Sequence, residues 1–376
     1  MTDDKAARAW AYLAAVAEPP CAALIALVAE LGPLGAAAAV RSRKVPAAHR
    51  GVLAPTQARA ATDTAAEDLA RCERIGARLL TRDDPDWPGW QLLALDQADS
   101  AARGGAPLAL WVRGPASCGD AVGRSMALVG SRASSSYGDH VAGAMAAALA
   151  DEGWSVVSGG AYGIDGAAHR GALGAGGTTV AVLACGIDRT YPSGHAQLLH
   201  RIAETGLVVS EYPPGTSAAK HRFLTRNRLV AAFSSAVIVV EAGRRSGAAN
   251  TAAWAKRLGR PLGAVPGSVT SATSVGANAM IADGDAVLVA DSGAAISLAS
   301  PDGCDTREAA PRRRTDDLRP DQLRVVEALP ARGGLTVDEI AFAAGLPIDD
   351  VLRALAALDL SGHVAGSDGT WRLGAR

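Results

Sequence analysis

Aromatic residues are scarce in this chain: 7 Trp, 5 Tyr and 3 Phe make up 4% of 376 residues. Cysteine is sparse as well. Cys21, Cys72, Cys118, Cys185 and Cys304 lie far apart, with no C-x-x-C and no paired histidines nearby. That leaves a disulfide framework or a zinc site without support, and the five read as small buried apolar residues in a reducing cytoplasm. No charge-free run of about 18 large apolar residues is present, so no membrane span is expected. Met1-Thr2-Asp3-Asp4 begins acidic rather than as a basic-then-apolar leader, so export is not expected and a cytoplasmic location is. The formal net charge is only −1, so any surface for nucleic acid must be local rather than global. No G-x-G-x-x-G follows a strand-like run, which disfavours NAD or FAD, and no G-x-x-x-x-G-K-[ST] supports a P-loop ATPase. No cofactor and no metal are expected.

What is present is a change of rhythm. Up to about residue 75 the chain reads as short helices; Leu24, Ile25, Leu27, Val28 and Leu31 form a helical stripe that Gly32-Pro33-Leu34-Gly35 interrupts. Residues 76–120 are transitional, with a strand at 108–112. From Met126 short apolar runs recur at 126–130, 154–158, 178–184, 207–210, 236–241, 261–265 and 286–289, with helical patterns between many of them. Uniformly apolar strands alternating with helices indicate an α/β fold with a mostly parallel sheet covered on both faces. Residues 301–316 read as a linker. Beyond it, three helical patterns at 321–329, 337–344 and 348–360 and a hairpin through Ser367-Asp368-Gly369 form the winged-helix pattern.

In a parallel sheet ligands sit at the carboxyl ends of the strands, so the loops after the apolar runs are where chemistry is sought. The first carries Gly130, Ser131 and Arg132, and the second Ser158, Gly159, Gly160, Tyr162, Gly163 and Asp165; both are glycine-rich and open helices, as anion-binding loops do. Asp165 reads equally as a helix cap, and His169 as a structural hydrogen-bonding residue. Asp188, Glu211 and Glu241 are scattered over separate loops and would form a catalytic or metal site only if folding converged them. After the fourth strand comes a segment without an acid between Glu211 and Glu241, in which Lys220, Arg222, Arg226 and Arg228 crowd around Phe223 and Asn227. After the fifth come Arg245, Ser246 and Gly247. Tyr137, Tyr162, Tyr191 and Tyr212, with Phe223, all fall in these post-strand stretches. Rings interleaved with cations suit single-stranded nucleic acid better than a small metabolite.

Taken together, these motifs resemble the DNA-processing protein A family (DprA, also called Smf). The resemblance rests on Val129-Gly130-Ser131-Arg132 with Tyr137-Gly138; Ser158-Gly159-Gly160-Ala161-Tyr162-Gly163-Ile164-Asp165 with His169; Tyr191-Pro192; Ser210-Glu211-Tyr212-Pro213; Phe223 with Arg226-Asn227-Arg228; Glu241-Ala242 with Ser246-Gly247; Pro266-Gly267; and Gly276-Ala277-Asn278, in family order. Gly160, Leu224 and Arg245 depart from the usual pattern. The resemblance implies an extended Rossmann-like domain at 76–300 that binds single-stranded DNA, a helical SAM-like domain at 1–75, a winged-helix domain at 317–376, and a homodimer. It also implies that the protein protects incoming strands in natural transformation and helps load RecA. By motif position Arg132 grips phosphate, Lys220 contacts DNA and Phe223 is the ring beside it.

Two other readings compete. A phosphoribohydrolase-like enzyme on a related fold would carry a Pro-Gly-Gly-x-Gly-Thr run where this chain has Gly243-Arg244-Arg245-Ser246-Gly247. A duplex-reading regulator would use the winged helix, but residues 317–376 carry nine acids against six arginines, a net of −3, with Asp349 and Asp350 at the start of the helix that would enter a groove.

Overall fold

The protein is described by a computed structural model covering residues 2–98, 104–244, 246–300, 315 and 317–374. Contacts divide the chain into two compact units, Met1–Thr306 and Arg307–Arg376.

The first unit is built on a nine-stranded sheet. Its strands are β1 (Ala77–Thr81), β2 (Ala109–Arg113), β3 (Ser125–Gly130), β4 (Ser155–Ser158), β5 (Thr179–Leu183), β6 (Leu207–Ser210), β7 (Ala236–Glu241), β8 (Leu262–Ala264) and β9 (Val287–Leu288). They lie in the order β1-β2-β6-β5-β4-β3-β7-β8-β9. From β6 to β9 every pairing is parallel, whereas β2 runs antiparallel to both β1 and β6. The seven parallel strands coincide with the seven apolar runs of the sequence; β3 to β8 are buried under helices on both faces, which removes the need for polar alternation, whereas the edge strand β9 is exposed. β3 forms the hinge of the topology. The chain leaves it through β4, β5 and β6 on one side and returns to its other side as β7, so the switch point lies between the carboxyl ends of β3 and β7.

The N-terminal helices group with the sheet in one compact unit, and packing crosses residue 75. Trp10, Leu13 and Val16 of the helix Thr2–Val16 join Trp111 of β2 and Leu183 of β5 in one apolar cluster. Trp10 Nε1 also donates to Asp83 at 3.0 Å. The stretch Ala22–Ser42 is long and apolar enough to cross a membrane by length and composition. It breaks at Gly32 (φ 67), ahead of Pro33, and buries Leu24, Leu27, Val28, Ala36 and Val40 in that cluster. Burial also governs the cysteines. Cys72, Cys118 and Cys185 are buried and free, and desolvation pushes their thiols up to about 12, 12 and 11.

The second unit carries the helices Pro320–Ala328, Val337–Ala344 and Ile348–Leu360 and the hairpin of β10 (Val364–Ser367) and β11 (Thr370–Leu373). Val325, Ile340, Val351, Leu355 and Leu358 form its own core. Thr336 and Glu339 make a reciprocal capping box at the second helix.

Candidate nucleic-acid interface

A cleft of about 860 Å³ opens at the switch point, lined from both sides of the β3–β7 junction. Three helices begin on it: Ile164–Gly174, Lys220–Ala232 and Gly247–Arg257. Their dipoles make the cleft electropositive before any side chain is counted. The basic segment after β6 is therefore the first turns of a helix, not a loop, and helical geometry sends its side chains in different directions. Lys220, Phe223, Leu224 and Asn227 follow the i, i+3, i+4, i+7 repeat and line the cleft together.

At the mouth the Arg132 guanidinium sits 4.7 Å above the Phe223 ring, and Tyr191 meets the same ring at 5.3 Å with an interplanar angle of 48°. Arg132 and Lys220 are exposed and pair with no carboxylate among the described residues. Two unpaired cations beside a partly open ring offer one phosphate-gripping fork, one point charge and one stacking face.

The floor is built differently. Arg226 is buried; Nη1 donates to the Val182 carbonyl at 2.6 Å, while Nε has no partner. Burial lowers its affinity for the proton, with the Asp165 carboxylate as the opposing influence. Asp165, itself pushed up by burial, accepts from the Gly159 and Ala161 amides at 3.2 and 3.3 Å. It therefore clamps its own loop instead of capping the helix. A side chain at Gly159 would collide with the Arg226 guanidinium, so that glycine exists to let Arg226 pass. Asn227 Nδ2 donates to the Asn250 side-chain Oδ1 at 3.1 Å and to the Gly247 backbone carbonyl at 3.4 Å, tying two of the three helix starts together. Ser246 accepts from the Ala249 amide as a helix cap on the same wall.

Other expected site residues are placed elsewhere. Ser158 is buried and donates to the Leu128 carbonyl at 2.6 Å. Gly163 (φ +73) does not line the cleft; a side chain there would strike the Ser131 carbonyl, to which the Ile164 amide also donates at 3.2 Å. Gly130 and Ser131 do line it, and the Ser131 amide extends the sheet by donating to the Glu241 carbonyl at 2.8 Å. Two arginines are withdrawn from any ligand. Arg228 is fully buried, with Nη2 on Glu211 at 2.7 Å and Nε on the Gly105 carbonyl at 3.0 Å. Arg222 lies on the outer side of its helix, held by Glu18 through Nε at 2.6 Å and Nη2 at 3.0 Å. Tyr212 is buried under that Arg222, so it does not join the tyrosines at the edge; Tyr137, Tyr162 and Tyr191 remain half-exposed. Arg245 lies outside the described residues. Tyr191 was not among the expected contacts, and its signal was the concentration of rings after strands.

The scattered acids each have their own structural partner. Glu211 takes Arg228, Glu241 takes the Ser135 amide and hydroxyl and Thr273, and Asp188 takes the Gly215 amide and Arg71. Among the described residues no group of three His, Cys, Asp or Glu is placed to hold a metal. His169 is buried, bonded to Thr179 at 2.7 Å, and pushed down to about 3 by burial and by neighbouring positive charge.

A sequence profile described as DNA recombination-mediator protein A matches residues 78–299, and one described as the DprA winged helix domain matches residues 309–370. The DNA processing protein DprA of Mycobacterium tuberculosis (strain H37Rv) is 50% identical over 373 residues, 98% of this chain and 95% of that protein. The chain belongs to the DprA family. Protein Smf of Escherichia coli is 35% identical over 254 residues, 65% of this chain and 66% of that one. The crystal structure of DprA from Streptococcus pneumoniae matches with a TM-score of 0.56 and 33% identity, covering 65% of this chain and 81% of its own. The family profile opens at residue 78, within β1, and closes at 299, so it spans the whole nine-stranded sheet apart from Ala77.

Proposed function

We propose that this protein binds single-stranded DNA along the carboxyl edge of its sheet and acts in recombination as a binding protein, without chemistry of its own. The observation that carries the reading is the Arg132–Phe223–Tyr191 stack at the mouth of an electropositive cleft, with Lys220 unpaired beside it. A duplex keeps its base faces inside the stack, so a fixed ring beside free cations favours strands whose bases are unstacked. Asp165, the one acid among the described residues lining the cleft, is engaged by the amides of its own loop, which supports binding over hydrolysis. Family membership supports extending this reading to protection of incoming strands, loading of RecA and a cytoplasmic location. A homodimer is supported by β9, an edge strand whose Val287 and Leu288 are both exposed and whose outer backbone groups have no neighbour in the sheet.

The test is a fluorescence-anisotropy titration with labelled oligo-dT, an equal-length duplex and free nucleotides at several salt concentrations. Preferential binding of oligo-dT that weakens steeply with salt is expected, each neutralised phosphate adding about 0.7 to the log–log slope. Equal affinity for the duplex, a flat salt response, or turnover of the free nucleotide would overturn it.

A further inference from the structure

The helix Ile348–Leu360 occupies the position from which winged helices read a DNA groove. Its inner face, Val351, Ala354, Leu355 and Leu358, is buried in the core of the second unit. Its outer face is the unusual one. Ile348, Leu352, Ala356 and Leu360 follow one another at steps of four and are all exposed, Leu360 at 92%. Residues at that spacing lie in one row on a helix, so these form a continuous apolar stripe. Phe342, on the preceding helix, is also 92% exposed. Single exposed leucines are ordinary on a protein surface, but a stripe kept in helical register for three turns is the pattern of a helix-docking face.

The charges beside the stripe set the sign of its partner. Asp349 and Asp359 are exposed on its flanks, and Arg353, the one arginine of the helix, closes onto Asp350. The domain as a whole carries nine acids against six arginines. Phosphate-bearing partners, whether duplex or anionic lipid, meet repulsion here. A second copy is also disfavoured by charge. Pairing the stripe with itself about a two-fold axis sets Ile348 opposite Leu360 and so brings Asp349 towards Asp359 of the other copy.

We propose that the outer face of the helix Ile348–Leu360 is a docking site for an amphipathic, basic-flanked helix of a partner protein. The stripe supplies the apolar anchors, and the aspartates select lysine or arginine at the rim of the incoming helix.

The experiment uses the full chain and three fluorescein-labelled 18-residue probes. One is a leucine–lysine peptide with its leucines in helical register, the second is a scramble of the same composition, and the third replaces lysine by glutamate. Anisotropy should show binding of the first alone. Leu352→Asp and Leu360→Asp should each weaken it at least tenfold. Both variants make the protein more acidic, so adsorption by charge alone would strengthen instead. Leu360 has almost no packing to lose, so its variant keeps the test valid if Leu352→Asp perturbs the fold. Equal binding of the scramble, binding of the glutamate peptide, unchanged affinity in both variants, or no binding at all overturns the proposal. So does a dimer in sedimentation velocity that both variants dissociate, which would make a second copy the occupant.

Discussion

Phe223 and Arg132 touch each other, yet they hold a strand by different forces, and the difference is measurable. Phe223→Ala removes a stacking face and is expected to cost about 1–3 kcal/mol of binding with the salt slope nearly unchanged. Arg132→Ala removes a cation and is expected to lower the magnitude of the slope by about 0.7; Lys220→Ala should do the same. Anisotropy at four salt concentrations separates the two behaviours, and an unaltered slope in both charge variants would count against this placement of the phosphates. Arg228→Ala should behave in a third way. It strands the buried Glu211 carboxylate, whose Oε2 already lacks a partner, and breaking such a pair costs about 3–5 kcal/mol of stability. A thermal melt should show the loss, while the salt slope of the surviving folded protein stays as in the parent. These three fates were not legible from the basic segment itself. Sequence shows four cations around one ring, but Arg228 finds Glu211 across a strand–helix connection, and Arg222 finds a carboxylate 204 residues away. What composition did reveal was Tyr191, because rings are rare enough in this chain for their gathering to be visible.

At the scale of elements, the helix Lys220–Ala232 is fastened on the side away from the cleft. Glu18 receives Arg222 and His221 from that helix and Arg59 from the N-terminal layer. Burial pushes the Glu18 carboxyl up, but the hydrogen bonds from Arg222 and Arg59 outweigh it and hold it at about 2 against an ordinary 4.5. A depressed carboxyl contributes stability that is fully present above its ordinary value and is lost as pH falls through the depressed one. The difference in melting temperature between the parent and Glu18→Gln should therefore be full at pH 7 and shrink between about pH 4.5 and 2. At neutral pH the same variant should bind oligo-dT more weakly with an unchanged slope, since the helix start moves while the number of phosphate contacts does not. A steeper slope would mean that Glu18 is instead a competitor for the cations. The elements themselves were legible wherever burial on both faces erased polar alternation, as in β3 to β8. β1 was missed because Ala77-Arg78-Leu79-Leu80-Thr81 mixes charge into an edge strand, and the antiparallel direction of β2 has no local signal at all.

At the scale of the whole molecule, the two units carry opposite electrostatic instructions. The sheet unit presents helix starts and free cations at its cleft, whereas the second presents acids around an apolar stripe. A chain ending at Asp305 is expected to keep its affinity for oligo-dT within about threefold, a change worth less than 1 kcal/mol. The isolated fragment 317–376, which has its own core, should ignore a duplex at physiological salt. Tight duplex binding by that fragment would restore a groove-reading role. The charge of the winged helix is what sets the expectation, tested by that fragment, that it does not read DNA, and its shape was legible from spacing. Its stripe was not, because only the fold decides which of two apolar rows on one helix faces water.

The buried cysteines have a practical corollary for anyone wishing to watch this protein work. Maleimide dyes react with thiolates, and three of the native thiols are both enclosed and strongly disfavoured as thiolates at neutral pH. The fourth, Cys21, is half-buried and raised in the same direction. Once Cys304 is changed to serine, a single cysteine introduced at Glu152 should take up dye selectively. That position is exposed just ahead of β4, on the amino-terminal rim of the sheet. A fluorophore or surface tether placed there would stand on the opposite rim from the cleft and leave the DNA path open for single-molecule imaging.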